Sequence, residues 1–130
     1  MIRLRVSLCG VNGSGRYRDG RMTRESLIGR DGGVCVWCGR EPWPADLTAE
    51  HLLPRSRRGR TVPENLAVAC RACNKRRRTK PVVAYVRAQR QDGRAPRVDL
   101  LESALCRLCG SGSPVHAEYA ARQLALLDRL

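Results

Sequence analysis

Two cysteine pairs constrain this chain more than anything else in it: Cys35-x2-Cys38 and Cys70-x2-Cys73, with 31 residues between them. A C-x2-C turn offers two soft donors from one tight knuckle, and a zinc ion takes four donors at the corners of a tetrahedron. Two such turns make one closed structural zinc site, so everything between Cys38 and Cys70 is clamped into a compact unit. The other readings of the same residues are buried thiols or two redox-active pairs. A redox pair ordinarily sits at the start of a helix that follows a strand, a context the sequence does not clearly provide.

The clamp matters because large apolar anchors are scarce. The 130 residues include no Phe and only five aromatic side chains, Tyr17, Trp37, Trp43, Tyr85 and Tyr119. A chain of this length builds one small core, and a metal supplies stability that packing alone would not. Seven Cys, together with a start (Met1 to Val6) that alternates charge with apolar residues and has no apolar h-region, suggest a reducing compartment; the expectation is a soluble, cytoplasmic protein.

Net charge is +13, from 23 Arg and 2 Lys against 12 acidic residues, and its placement is uneven. Residues 55–80 carry +9 of it, whereas 31–54 carry −3. Cations crowded this closely repel one another unless an anion is near, and nucleic acid supplies a dense line of phosphates. Arg55, Arg57, Arg58, Arg60, Lys75, Arg76, Arg77 and Arg78 are the expected DNA contacts; the plainer reading is a solvated face.

Local patterns give an α+β chain. Residues 1–8 alternate like a half-buried strand and run into a glycine-rich loop, Gly10 to Gly15, that lacks the Lys-Ser/Thr of a phosphate loop. Thr23 caps a short helix that ends at Asp31-Gly-Gly33. Leu47 to Leu53 and Leu66 to Ala69 read as strands, and Cys73 to Arg78 as a helix. Further helices are expected over Pro81–Gln91, Asp99–Leu108 and Pro114–Leu130. The division that follows is 1–22 as an N-terminal strand and basic loop, 23–80 as the core, and 81–130 as a helical extension packed on it.

Between the cysteine pairs stand Glu50-His51-x2-Pro54 and Asn65-Leu66, and Asn74 follows Cys73. In that order these motifs resemble the zinc-bearing branch of the HNH endonuclease family, over roughly residues 23–80. The resemblance implies a ββα-metal core and hydrolysis of phosphodiester bonds in DNA. It makes His51 the general base, a role imidazole suits with its pKa near ~6.5. It has Asn65 fix the loop that carries His51, and Glu50 and Asn74 hold a catalytic Mg²⁺ or Mn²⁺. The sequence departs from the family where Glu50 replaces the common Asp, where Arg58-Gly59 replaces Gly-Gly, and where Arg77 stands for a lysine.

One difficulty is visible at once. Neighbouring strand residues face opposite ways, so Glu50 and His51 can address one phosphate only if the strand ends or bends at His51. A second knuckle is suggested by Cys106-x2-Cys109, which Cys9 and His116 would complete as a further zinc site; buried thiols are the alternative. From a different class altogether comes a non-catalytic, zinc-ribbon-like module that binds DNA or RNA.

Overall fold

The computed structural model describes residues 22–130. The strand expected over 1–8, the Gly10–Gly15 loop and Cys9 lie outside them. The chain is α+β, and the described residues form a two-stranded antiparallel sheet with five helices. In order these are α1 (Arg24–Asp31), β1 (Leu47–His51), β2 (Leu66–Cys70), α2 (Arg71–Arg77), α3 (Val82–Gln91), α4 (Val98–Cys109) and α5 (Pro114–Leu127).

Helix α1 starts where the Thr23 hydroxyl accepts from the Ser26 amide at 3.0 Å, and it stops at Gly32, whose φ of 89° a side chain would resist. It buries Leu27 against Leu47, Leu66 and Val68 on one face of the sheet. Arg30 secures it by donating to the Pro63 and Leu66 carbonyls at 2.9 and 2.6 Å.

The strands pair in register from Leu47 opposite Cys70 to His51 opposite Leu66. Alternation along them sorts the sheet into two faces. Leu47, Leu66 and Val68 turn towards α1, while Ala67 and Ala69 join the main core with Trp37, Val82, Val86, Leu101 and Leu105. Strand β1 is shorter than the expected 47–53, because the chain leaves the sheet after His51 and turns at Pro54.

Helix α2 begins at Arg71, directly after β2, two residues earlier than the expected start at Cys73. It ends at Arg78, held at φ 54°. The last three helices fall where the apolar spacing puts them and supply Val82, Val83, Val86, Leu101, Leu105, Leu108 and Leu124 to a core shared with the cysteine-rich segment. Tyr85 of α3 meets the edge of Trp37 at 5.1 Å between ring centres, an arrangement favoured by the ring quadrupoles. Among the described residues no helix is long and apolar enough to cross a membrane.

Candidate functional site

Cys35, Cys38, Cys70 and Cys73 converge, their four sulfurs all lying within 4.8 Å of one another. The first knuckle closes where the Gly39 amide donates to the Cys35 carbonyl at 2.9 Å. Gly39 is required there, since its φ is 76° and an added Cβ would lie 2.4 Å from the Ala95 carbonyl oxygen. The second knuckle runs from the end of β2 into α2, with the Cys70 sulfur accepting from the Cys73 amide at 3.4 Å. Cys70 and Cys73 therefore do sit at a helix start after a strand, the setting of a redox pair, but they face a second pair of thiols across the cluster.

Trp37 N–H and the side chains of Arg76 and Gln89 direct further donors at these sulfurs, at 3.3, 3.5 and 3.7 Å. Such donors favour thiolate, the form that binds a metal. The Cys73 thiol, hydrogen-bonded to Cys35, pulls Cys35 down to about 5, while that bond and burial push Cys73 up. Burial raises Cys38. Four soft donors at this spacing can hold one zinc ion in a closed site.

At the other end of the sheet the hard-ligand set expected for a catalytic ion does not assemble. Strand β1 stays paired through His51, so Glu50 turns into the core while His51 turns away from it. The Glu50 carboxylate accepts from Trp37 Nε1 at 2.7 Å and lies 3.5 Å from Arg77 Nη1. Arg77 is wholly buried. Its guanidinium donates to the carbonyls of Lys80, His51 and Leu52 at 2.6–2.7 Å and to the Tyr119 hydroxyl at 3.3 Å, and it stacks 5.1 Å from the centre of the Trp37 ring. All five of its donors are thus engaged.

Asn74 is committed too, its amide donating to the Thr48 hydroxyl at 2.9 Å and to the Ala49 carbonyl at 3.2 Å. A carboxylate and an amide oxygen suit Mg²⁺ or Mn²⁺ chemically, but here the carboxylate already faces a buried cation that an incoming ion would have to displace. The arrangement does not fit a divalent ion on Glu50 and Asn74. It also removes Arg77 from the set of DNA contacts. Burial pushes the Glu50 carboxyl up to about 7, against the pull of Arg77 and the Trp37 N–H.

His51 is half-buried, with Nε2 2.8 Å from the Thr61 hydroxyl. Burial holds its pKa below the ordinary value, and the charges of Arg55 and Arg77 act in the same direction. If Nε2–H donates to Thr61, Nδ1 is left with a lone pair. Asn65 is fully buried and spans the intervening loop: its Oδ1 accepts from the Leu53 amide at 2.9 Å, and its Nδ2 donates to the Leu53 and Arg60 carbonyls at 3.0 and 2.9 Å. In the same loop Arg58 takes a left-handed φ of 75°, the conformation a glycine would supply, and Gly59 passes so close to the Leu53 carbonyl that a Cβ would collide at 1.8 Å.

Of the suggested second zinc set, Cys9 lies outside the described residues, and Cys106, Cys109 and His116 form no metal-ligating cluster among them. The central cysteines are the only cluster of three or more metal-ligating side chains among the described residues. Both ring nitrogens of His116 are used elsewhere: Nε2 accepts from the Arg60 amide at 3.0 Å, and Nδ1 lies 2.8 Å from the Ser111 hydroxyl. Cys106 is a core residue of α4, and Cys109 packs against the same core. Arg55, Arg57, Arg58, Arg60, Lys75, Arg76 and Arg78 are all exposed, as a phosphate-binding surface requires.

Thr61, Trp37 and Tyr119 drew no attention as site residues in the sequence. Tyr119 joins three segments at one hydroxyl, donating to the Leu52 carbonyl at 3.0 Å while accepting from the Val82 amide and Arg77. Nothing local to any of the three marks it. The chain matches the family model of HNH endonucleases over residues 35–87, a segment that contains all four clustered cysteines. No curated protein matches the chain.

Proposed function

We propose that the protein is a DNA endonuclease in which His51 activates water against a phosphodiester bond, with zinc on the four central cysteines as a purely structural ion. The observation that carries this reading is the position of His51 at the end of β1, oriented by Thr61 and followed at once by the exposed cations Arg55, Arg57 and Arg58. With its pKa held low, the imidazole is neutral near pH 7 and Nδ1 can accept the proton of an attacking water. The water oxygen bonds to phosphorus, the ester P–O bond breaks, and the departing oxygen takes a proton from solvent. Arg55, whose charge already acts on the ring, is the nearest candidate to hold the phosphate and offset its growing negative charge.

Hydrolases of this family class carry a divalent ion that stabilises charge at phosphorus. No step is assigned to one here, because Glu50 is paired with Arg77. That pairing also supports a second reading, a zinc-stabilised module that binds nucleic acid without cutting it. Plasmid cleavage by the purified chain with Mg²⁺, Mn²⁺ or EDTA separates the two. Under the nuclease reading, His51→Ala keeps zinc, fold and DNA binding while cleavage falls ~10²–10⁴-fold. Cleavage by His51→Ala at the wild-type rate removes His51 as the base, and a wild type that never cuts leaves the binding module.

A further inference from the structure

The cations around His51 are not the only ones gathered on this surface. At the opposite end of the sheet a groove of about 600 Å³ opens beside the cysteine cluster, lined by Arg40, Arg71, Lys75, Arg76 and Arg94, with Asp46 the one carboxylate among them. Part of that charge answers the thiolates, since a zinc ion on four cysteinates keeps two negative charges and Arg76 already donates to the Cys73 sulfur. Arg94 is also paired with Asp92 at 3.3 Å, so one positive charge remains after those, Asp46 and Asp92 are set against the five.

Beside this groove lies Trp43, 80% exposed; apart from Leu130 it is the only large apolar side chain so open among the described residues. Pro42 and Pro44 flank it and restrict its backbone. The Asp46 amide donates to the Trp43 carbonyl at 2.8 Å, and Arg71 reaches across from α2 to the Ala45 carbonyl at 3.0 Å. The loop is therefore fastened to the basic groove, and the indole is held in water at a hydrophobic cost that nothing among the described residues offsets.

A fixed, exposed aromatic face beside a channel of surplus positive charge matches an unpaired nucleic-acid strand, whose bases stack on the ring while its phosphates follow the cations. A fully paired duplex keeps its base faces covered and cannot use the indole in this way. We infer that Trp43 and the groove of Arg40, Arg71, Lys75, Arg76 and Arg94 form a binding subsite for a single-stranded segment of the substrate. The inference rests on the nucleic-acid reading above and adds the strand form to it. From Leu47, next to the groove, to His51 is four residues of strand, roughly 13 Å at ~3.3 Å each. A strand held by Trp43 would thus reach His51 within a few nucleotides.

The test is a titration of the full, zinc-loaded chain with short oligothymidylate and oligouridylate, and with a blunt duplex of the same length. The tighter of the two single strands is carried forward. It should quench tryptophan fluorescence on binding, because Trp43 is open whereas Trp37 is buried. Trp43→Ala should lose that quenching and about tenfold in single-strand affinity, with duplex affinity unchanged; Trp43→Phe should recover most of the affinity without the indole signal. Unchanged single-strand affinity in Trp43→Ala, or equal losses for strand and duplex, overturns the subsite while leaving nucleic-acid binding intact. A wild type that binds neither strand nor duplex overturns the nucleic-acid reading first, and the subsite with it.

Discussion

The two ends of the short sheet solve the same problem in opposite ways. At one end four side chains able to hold an ion point at one another, with N–H donors trained on their sulfurs and the nearby cation, Arg76, an exposed residue that reaches the Cys73 sulfur. At the other, a buried carboxylate has been given an arginine in place of an ion, and that guanidinium is satisfied by three carbonyls and a tyrosine as well. Four thiols within 4.8 Å of one another form a ligand set; a buried carboxyl 3.5 Å from a guanidinium already has a cation for a partner. Ligand-type residues in the expected order are therefore compatible with two quite different electrostatic outcomes.

The sharpest way to break the contrast is at the cysteine end. Cys70→Ser removes one of four donors that organise both knuckles, and the expected result is loss of folded protein together with its zinc, seen as loss of the cooperative thermal transition. Cys106→Ser, from a pair with identical spacing, should leave zinc content unchanged and lower stability by only ~1–3 kcal/mol, the cost of a polar group in an apolar position. Retention of fold and metal by Cys70→Ser would place the stabilising centre elsewhere.

At the arginine end the effect should be smaller but still large. Arg77→Met leaves Glu50 without its partner and takes the Arg77 hydrogen bonds from the Lys80, His51 and Leu52 carbonyls, and should cost about 3–5 kcal/mol in denaturant unfolding. The double variant Glu50→Leu with Arg77→Met should recover part of that loss, because an apolar pair carries no desolvated charge. If Arg77→Met is instead neutral, and raised Mg²⁺ then stabilises it, the arginine is standing in an ion's place and the comparison between the two ends collapses.

The smallest effect is a pH slope. In the folded chain Glu50 holds its proton up to about 7, against an ordinary value of 4.5. Between those values the unfolded chain has released a proton that the folded chain keeps, so this group's contribution is complete below pH ~4.5, declines as pH rises and is level above ~7. The slope it adds is at most about 1.4 kcal/mol per pH unit. Glu50→Gln should abolish that portion of the dependence, and an identical pH profile for the two proteins would mean that Glu50 is ionised throughout.

Much of this arrangement can be read from the chain, and the residues that cannot share a cause. The knuckles are legible because each pair is local in sequence, and α3 to α5 because apolar side chains recur at helical spacing. Glu50 was harder: the family motif pairs it with His51, while the period of a strand separates them, and continued pairing to Leu66 lets the period prevail. Arg77 sits inside Arg76-Arg77-Arg78, a run that reads as solvated. The signal that could have found it is Cys73, four residues earlier and therefore on the same helical face, which already had to turn inwards to meet the other cysteines. Cys106 shows a related conflict: it lies in the apolar stripe of α4, where helix geometry commits the thiol to the core.

The bonds made by α5 bear on how far the segment that matches the HNH family model is portable. The family match ends at residue 87, yet the Arg60 amide, one residue before Thr61, is held by His116, and the Leu52 carbonyl, one residue after His51, is held by Tyr119. A fragment cut at the family boundary would keep every motif residue while losing the scaffold that sets the loop around His51. Grafting this segment onto another protein, or trimming the chain to its motif for crystallisation, would accordingly need the helices through Leu127 as part of the cassette.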